Sequence, residues 1–263
     1  EAIGHRRREY VLASKCGMTG VDGKRVIDGR PETLLATIEQ SLARLKTDVI
    51  DLYYLHRWDK KVPIEESVGA LSRMVEAGKI RAIGLSEISA ATLRRAHSVH
   101  PIAAVQNEYS PWSRNVELGV LEATRELEAS LVAFSPVARG FLADAVHSAD
   151  ALEPGDIRRA MPRFQPGNLE RNLELLARFR ALAVEAGCTP AQLSLGWVLS
   201  RGPHVTAIPG TTSIAHLEEN FATPASLPAG LLDQVDRLMA PEAIAGPRYP
   251  AATQAEIDTE EFS

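Results

Sequence analysis

A chain of 263 residues with 45% hydrophobic and 24% charged side chains has an ordinary globular composition, long enough for one large α/β domain or two small ones. Its formal net charge of -5 leaves no basic footprint for nucleic acid, and no apolar run approaches the about 18 residues that a membrane helix needs. Cys16 and Cys188 have neither the number nor the spacing of a disulfide framework or zinc site, and the opening EAIGHRRREY lacks the apolar core of a signal peptide, so a reducing cytoplasm is the expected setting.

In chain order, short apolar runs alternate with amphipathic stretches. Runs at 10–15, 49–56, 80–86, 102–107, 131–135 and 205–209 read as strands. Most are apolar throughout, as strands buried on both faces of a parallel sheet are. Residues 31–45 read as a helix, with Pro31 in its first turn and Leu34, Leu35, Ile38, Leu42 and Leu45 as its apolar face. Helical patterns follow at 64–77, between Pro63 and Gly78, and at 89–98, 116–129, 169–186 and 190–200. Residues 140–165 break the series, being rich in Pro, Asp and Arg and weakly periodic. A loop that long inside a compact domain is usually functional or mobile. Residues 140–167 are therefore expected over an active-site mouth, and residues 241–263 read as a C-terminal tail.

Strands alternating with helices imply a parallel sheet, closed as a barrel or open and doubly wound. No strand is followed by a Gly-x-Gly-x-x-Gly turn opening a helix, so a Rossmann dinucleotide site is not supported and a (β/α)8 TIM barrel is favoured. Six strands are fewer than the eight of a closed barrel, and residues 1–5 read as the end of a helix just before the first strand. At roughly 30 residues per strand–helix unit, the expectation is a single barrel domain over 1–263 from which the first two units are absent.

Lys15 and His56 end the first two runs, on the side where a parallel barrel gathers its chemistry. An unpaired buried cation is costly, so Lys15 needs an anion or solvent there. Alone, Lys15 is as readily a lysine reaching solvent, and His56 a hydrogen-bonded core residue. Other runs also end in polar groups: Gly84-Leu-Ser-Glu87, Gln106-Asn107, Phe134-Ser-Pro-Val-Ala-Arg-Gly140 and Ile208-Pro-Gly-Thr-Thr-Ser213. Small hydroxyl residues opening a helix suit a phosphate, or simply cap the helix. Tyr109 and Trp112 either line a pocket or pack a loop. His97, His100 and His147 read as structural, and the carboxylates and histidines supply no convincing metal set.

Seven segments in order carry a resemblance. They are ASKCG around Lys15, DLYYLHRWD around His56, VEAGKIRAIGLSE over 75–87, VQNEYSPWSR from Val105, FSPVARGFL from Phe134, PRFQPGNLERN ending at Asn172, and IPGTTSIAHLEEN ending at Asn220. Together they resemble the aldo-keto reductases, in particular the bacterial and plant-like NADP-dependent members, up to about Leu238. The resemblance implies an eight-stranded barrel that binds NADP(H) without a Rossmann fold and passes hydride to a small aldehyde or ketone. The family uses Asp, Tyr, Lys and His, of which Lys15 and His56 match two. The lysine would ease proton donation from a tyrosine by lowering its pKa, and His56 would orient the carbonyl and stabilise its developing negative charge.

By the same match, Ser86 and Gln106 would hold the nicotinamide amide, and Phe134 would stack on its ring. Glu87 stands where many relatives have Asn. Ser135, Val137, Arg139 and Gly140 would lie along the pyrophosphate. Ile208, Gly210, Thr211, Thr212 and Ser213 would border the adenosine 2′-phosphate, with Glu219 and Asn220 at the adenine. His216 falls where many relatives carry an arginine against that phosphate. A histidine carries little charge near neutral pH, so NAD(H) is a second possible cofactor. Arg57, Trp58 and Trp112 are the expected substrate-pocket residues, on loops that vary freely. The family's Asp and Tyr belong to its second strand–helix unit, and no residue of 1–263 matches them. Tyr10 begins a strand, and at least one of Tyr53 and Tyr54 must point away from the mouth. The alternative function is a non-catalytic nucleotide-binding or regulatory protein of the same family.

Overall fold

The computed structural model describes residues 3–21 and 24–262. They divide into two compact units, one formed by Glu1–Gln106, Gly119–Ser130 and Glu256–Thr259, the other by Asn107–Leu118, Leu131–Ala255 and Glu260–Ser263.

In the first unit a short 3-10 helix, Gly4–Glu9, leads into strand β1 (Ala13–Cys16). Gly17, at φ +77°, then turns the chain into an antiparallel hairpin of β2 (Met18–Val21) and β3 (Lys24–Ile27). The strand–helix reading has no element there. The signal for it is Asp22-Gly23, a dipeptide that favours two-residue hairpin turns, although those two residues lie outside the described ones.

Helix α1 (Pro31–Leu45) follows, and its buried face differs from the expected one. Leu34, Ile38 and Ser41 face inward, whereas Leu35 and Leu45 are 40% and 41% exposed. The helical repeat from Leu34 lands on Ser41, and that position is satisfied by a hydrogen bond between Ser41 Oγ and Tyr53 Oη at 3.1 Å. Strand β4 (Ile50–Leu55), helix α2 (Ile64–Glu76), strand β5 (Ile80–Ser86), helix α3 (Ala90–Val99) and strand β6 (Ile102–Glu108) complete the repeating pattern. The four strands β1, β4, β5 and β6 pair in parallel, with Lys15 opposite Tyr54 and Ser86 opposite Gln106.

The single helix read over 116–129 is two pieces, a 3-10 turn at Asn115–Leu118 and helix α4 (Val120–Glu126) capped by Gly119. Strand β7 (Ser130–Phe134) stops one residue short of the expected end because Ser135 is left-handed, at φ 50°. In the second unit β7 pairs in parallel with β8 (Val205–Ile208) in a register that sets Phe134 opposite Ile208. Helices α5 (Asn168–Glu185) and α6 (Pro190–Leu199) separate these strands, and α7 (Ile214–Phe221), α8 (Ala229–Leu238) and α9 (Ala251–Gln254) follow. The last two were not apparent from the sequence pattern. Residues 140–165 are not structureless, since short 3-10 turns at Ala138–Ala143, Ile157–Ala160 and Pro162–Phe164 bury Phe141, Leu142 and Phe164. Among the described residues no helix is long and apolar enough to cross a membrane.

Candidate active site

In the first unit, neighbouring parallel strands deliver Lys15, His56, Ser86 and Gln106 from their C-terminal ends. His56 follows β4 directly, and its backbone N–H donates to Cys16 O at 2.9 Å, which sets it level with the end of β1. Lys15 Nζ donates to Gln106 Oε1 at 2.5 Å. In the strand order β1-β4-β5-β6 those residues stand three strand spacings apart, about 14 Å along a flat sheet. Two side chains meet over that separation only because the sheet curls and their inward faces converge.

The charges around His56 are mostly positive. Arg57 Nη1 donates to the His56 carbonyl at 2.7 Å and to Ser86 Oγ at 3.3 Å. Burial, then the charges of Lys15, Arg57 and Arg25, press the His56 imidazole down to about 4. Burial also lowers Lys15, helped by Arg57 and opposed by the carboxylate of Glu87. His56 is therefore uncharged at neutral pH and donates or accepts hydrogen bonds as neutral imidazole. A free histidine titrates near 6.5, so the unfolded chain takes up this proton first as the pH falls. The stabilisation is complete above about 6.5 and is lost as the pH drops from there toward 4. His56→Gln, which cannot titrate, is expected to show a smaller fall in Tm between pH 7 and pH 5 than the parent protein, read by thermal melts at both pH values.

Neither tyrosine of β4 has the lowered pKa of a tyrosine assisted by lysine. Burial pushes Tyr53 up, and its hydroxyl is taken by Ser41. Tyr54 lies with its ring 6.0 Å from Lys15 Nζ, yet burial pushes it up to about 12, against the opposing hydrogen bond to Gln106. Glu87 is fully buried at φ 53° and ends β5. Its carbonyl accepts from Asp258 N at 3.0 Å, and Asp258 in turn accepts from Ser89 N and Ser89 Oγ at 3.1 and 2.9 Å. Arg25 pairs with Glu256, and Lys60 Nζ donates to Ile257 O at 2.7 Å. Residues 256–258 thus tie the β2–β3 hairpin to the loops after β4 and β5, which the sequence reading missed. Of the expected substrate residues, Trp58 is half-buried, with its indole N–H donated to Val62 O at 2.8 Å.

In the second unit a cleft of about 1010 Å³ gathers twelve of the expected cofactor residues: Phe134, Ser135, Val137, Arg139 and Gly140 from the end of β7, and Ile208, Gly210, Thr211, Thr212, His216, Glu219 and Asn220 from β8 and α7. Ser213 is not among the lining residues; it caps α7, its Oγ accepting from His216 N at 3.3 Å. The backbone after β7 is left-handed at Ser135, Ala138, Arg139 and Gly140. Within this turn Ala138 N donates to Ser135 O at 2.8 Å and Gly140 N to Val137 O at 3.1 Å, and the N-terminus of α7 is the end of a helix that favours anionic groups. Arg158, which the sequence reading passed over, lines the same cleft and donates to Arg139 O at 2.9 Å while Asp156 holds its guanidinium at 2.6 Å. The Arg139 guanidinium itself is bonded to Glu108 and Tyr249. Trp112, the remaining expected substrate residue, is 3% exposed and stacks on Phe141 at 4.2 Å.

Parallel strands ending in Lys and His in one unit, and parallel strands β7 and β8 ending on a cleft in the other, are the pattern of the (β/α)8 barrel class. The model of the Aldo/keto reductase family matches residues 1–238, and the chain belongs to that family. It is 42% identical over 258 residues to an aldo-keto reductase of Schizosaccharomyces pombe, yakc, whose name specifies NADP(+), covering 96% of this chain and 76% of that protein. Among solved structures it is similar to the glycerol dehydrogenase AKR11B4 from Gluconobacter oxydans, with a TM-score of 0.82 and 29% identity over 95% of this chain and 79% of that one. It is also similar to a thermostable aldo-keto reductase, Tm1743, solved with the inhibitor epalrestat, with a TM-score of 0.70 and 29% identity over 90% and 74% of the two chains.

Proposed function

We propose that this protein is an NADPH-dependent oxidoreductase that reduces a small aldehyde or ketone to an alcohol, with Lys15 and His56 in its catalytic centre. The observation that carries the reading is the placement of His56 just past β4, its backbone N–H on Cys16 O at the end of β1, where burial and the charges of Lys15, Arg57 and Arg25 keep its imidazole neutral. A neutral imidazole donates a hydrogen bond to a carbonyl oxygen, and the surrounding cations favour the negative charge that grows on that oxygen. In the first unit Ser86 and Gln106 are the residues proposed for the nicotinamide amide; in the second, taken by itself, the cleft lined by Phe134, Thr211, His216 and Asn220 is proposed for the phosphates and adenine. Its size and the α7 N-terminus fit those groups. Bound NADPH would supply the hydride. Neither Tyr53 nor Tyr54, both held protonated by burial, is proposed as the donor of the alkoxide's proton. Residues 1–263 as one barrel domain, 140–167 as a loop over the mouth, and Arg57, Trp58 and Trp112 as pocket residues belong to the same proposal.

The test is NADPH oxidation against a panel of aldehydes and ketones by the protein isolated from its natural source, alongside NADPH binding measured by fluorescence. Turnover supports the reading. Binding without turnover on any carbonyl favours the regulatory alternative, and absence of binding sinks both. Restoring the missing cation at the 2′-phosphate position by His216→Arg is expected to raise the NADPH-over-NADH affinity ratio about tenfold, the worth of one charge-assisted hydrogen bond. Titration of both cofactors against parent and variant measures that ratio.

A further inference from the structure

The unit that holds the cleft also holds a buried charge cluster, of which Arg139 alone lines the cleft. Glu108, the last residue of β6, is 4% exposed. Its Oε1 accepts from Ser113 Oγ at 2.8 Å, and its Oε2 accepts from Tyr249 Oη at 2.8 Å and from Arg139 Nη2 at 3.1 Å. Arg139 Nη2 also donates to Tyr249 Oη at 3.0 Å, closing a three-membered ring of bonds. The Tyr249 ring lies 5.6 Å from the Arg139 guanidinium and 4.9 Å from that of Arg248. Burial would raise the Glu108 carboxyl, but Arg248, Arg139, Ser113 and Arg163 outweigh it and hold the group below its usual range. It is an anion in a dry site, and its partners are correspondingly constrained.

Arg139 sits at the centre of a turn in which Ala138, Arg139 and Gly140 are all left-handed, at φ 51°, 58° and 87°. Non-glycine residues keep that conformation only where their surroundings hold it. Two holds are visible: Arg158 Nη1 on the Arg139 carbonyl, and Glu108 with Tyr249 on the guanidinium. The turn they hold is a wall of the cleft.

We propose that Arg139 is a positioning residue for the dinucleotide, held by Glu108 and the Tyr249 hydroxyl, so that cofactor binding and docking of the Arg248-Tyr249 segment stabilise each other. The proposal rests on the reading that the cleft takes NADP(H). Because coupling between two binding events is reciprocal, it has two independent signatures. Weakening the Tyr249 contact weakens NADPH, and NADPH tightens the segment around Tyr249.

The experiment uses the whole protein and NADPH as the probe. Its Kd is measured by fluorescence for the parent, Tyr249→Phe, Arg139→Lys and the double variant, and exchange of the Arg248 and Tyr249 amides is followed with and without NADPH. Each single variant is expected to bind about 5- to 20-fold more weakly, and the double variant no more than about twofold beyond the weaker single, since both break one network. Exchange of the Arg248 and Tyr249 amides slows with NADPH in the parent and slows less in Arg139→Lys. A merely structural network would lower the Tm of the cofactor-free variants and leave Kd unchanged. Parent protein that binds NADPH while both variants bind within twofold of it, or while the Arg248 and Tyr249 amides exchange at an unaltered rate, overturns the proposal alone. Parent protein that binds no NADPH overturns the cofactor reading and this proposal with it. Should Tyr249→Phe fail to fold, Arg139→Lys and the exchange rates of the parent still decide.

Discussion

His56→Ala is expected to lower kcat for carbonyl reduction by about 100- to 1,000-fold while leaving the NADPH Kd within about threefold. The magnitude is that of removing one preorganised donor from the site where negative charge develops. His56 is suited to this because burial and three neighbouring cations hold it uncharged, pressed down to about 4, so its hydrogen bond survives throughout the neutral range. Alanine removes the donor and leaves Lys15 and Arg57 in place. Their charge then acts on the carbonyl without a directed bond, which is why some activity persists. Steady-state kinetics with a Tm control read the effect. An unchanged kcat in a folded variant would remove His56 from the chemistry.

The second large effect falls on stability. Gly84 lies in β5 opposite Tyr54, and a Cβ at that position would overlap the Tyr54 ring. Tyr54 is 2% exposed and has no open space to retreat into. Gly84→Ala is therefore expected to destabilise the fold by about 2–3 kcal/mol, the usual cost of overpacking a core. For a chain of this size that lowers Tm by about 5–10 °C. The same ring stands 6.0 Å from Lys15 Nζ and bonds to Gln106, so its displacement also disturbs the strand ends that form the candidate site. Tyr54→Leu in the Gly84→Ala background relieves the overlap and is expected to recover part of the Tm. A single Gly84→Ala variant that melts within about 1 °C of the parent would show that the ring has room to move.

Much of the architecture was legible because it is local. Parallel strands buried on both faces must be apolar runs, and all six runs are strands in the structure, with no end shifted by more than three residues. The shifts have local causes, such as the left-handed Ser135 beyond β7. Where two elements differ only in a polar residue on the buried face, pattern reading errs: Ser41 occupies the place assigned to a leucine because Tyr53 meets it. Twelve of the residues expected at a cofactor line one cleft because two adjacent parallel strands, β7 and β8, end side by side, so Phe134 and Ile208, 74 residues apart along the chain, are paired by register.

Strand runs, their polar ends, Lys15, His56 and the family resemblance were determined by the sequence alone, since each is a short-range pattern of apolarity, turn chemistry or motif. The tertiary structure alone decided what those groups touch. Glu108 meets Tyr249 across 141 residues, and Ser89 meets Asp258 across 169. A buried carboxylate must find donors, but any donor of suitable reach satisfies it equally. No local pattern encodes which one arrives, and only the packed chain brings Arg139, Ser113 and Tyr249 to Glu108.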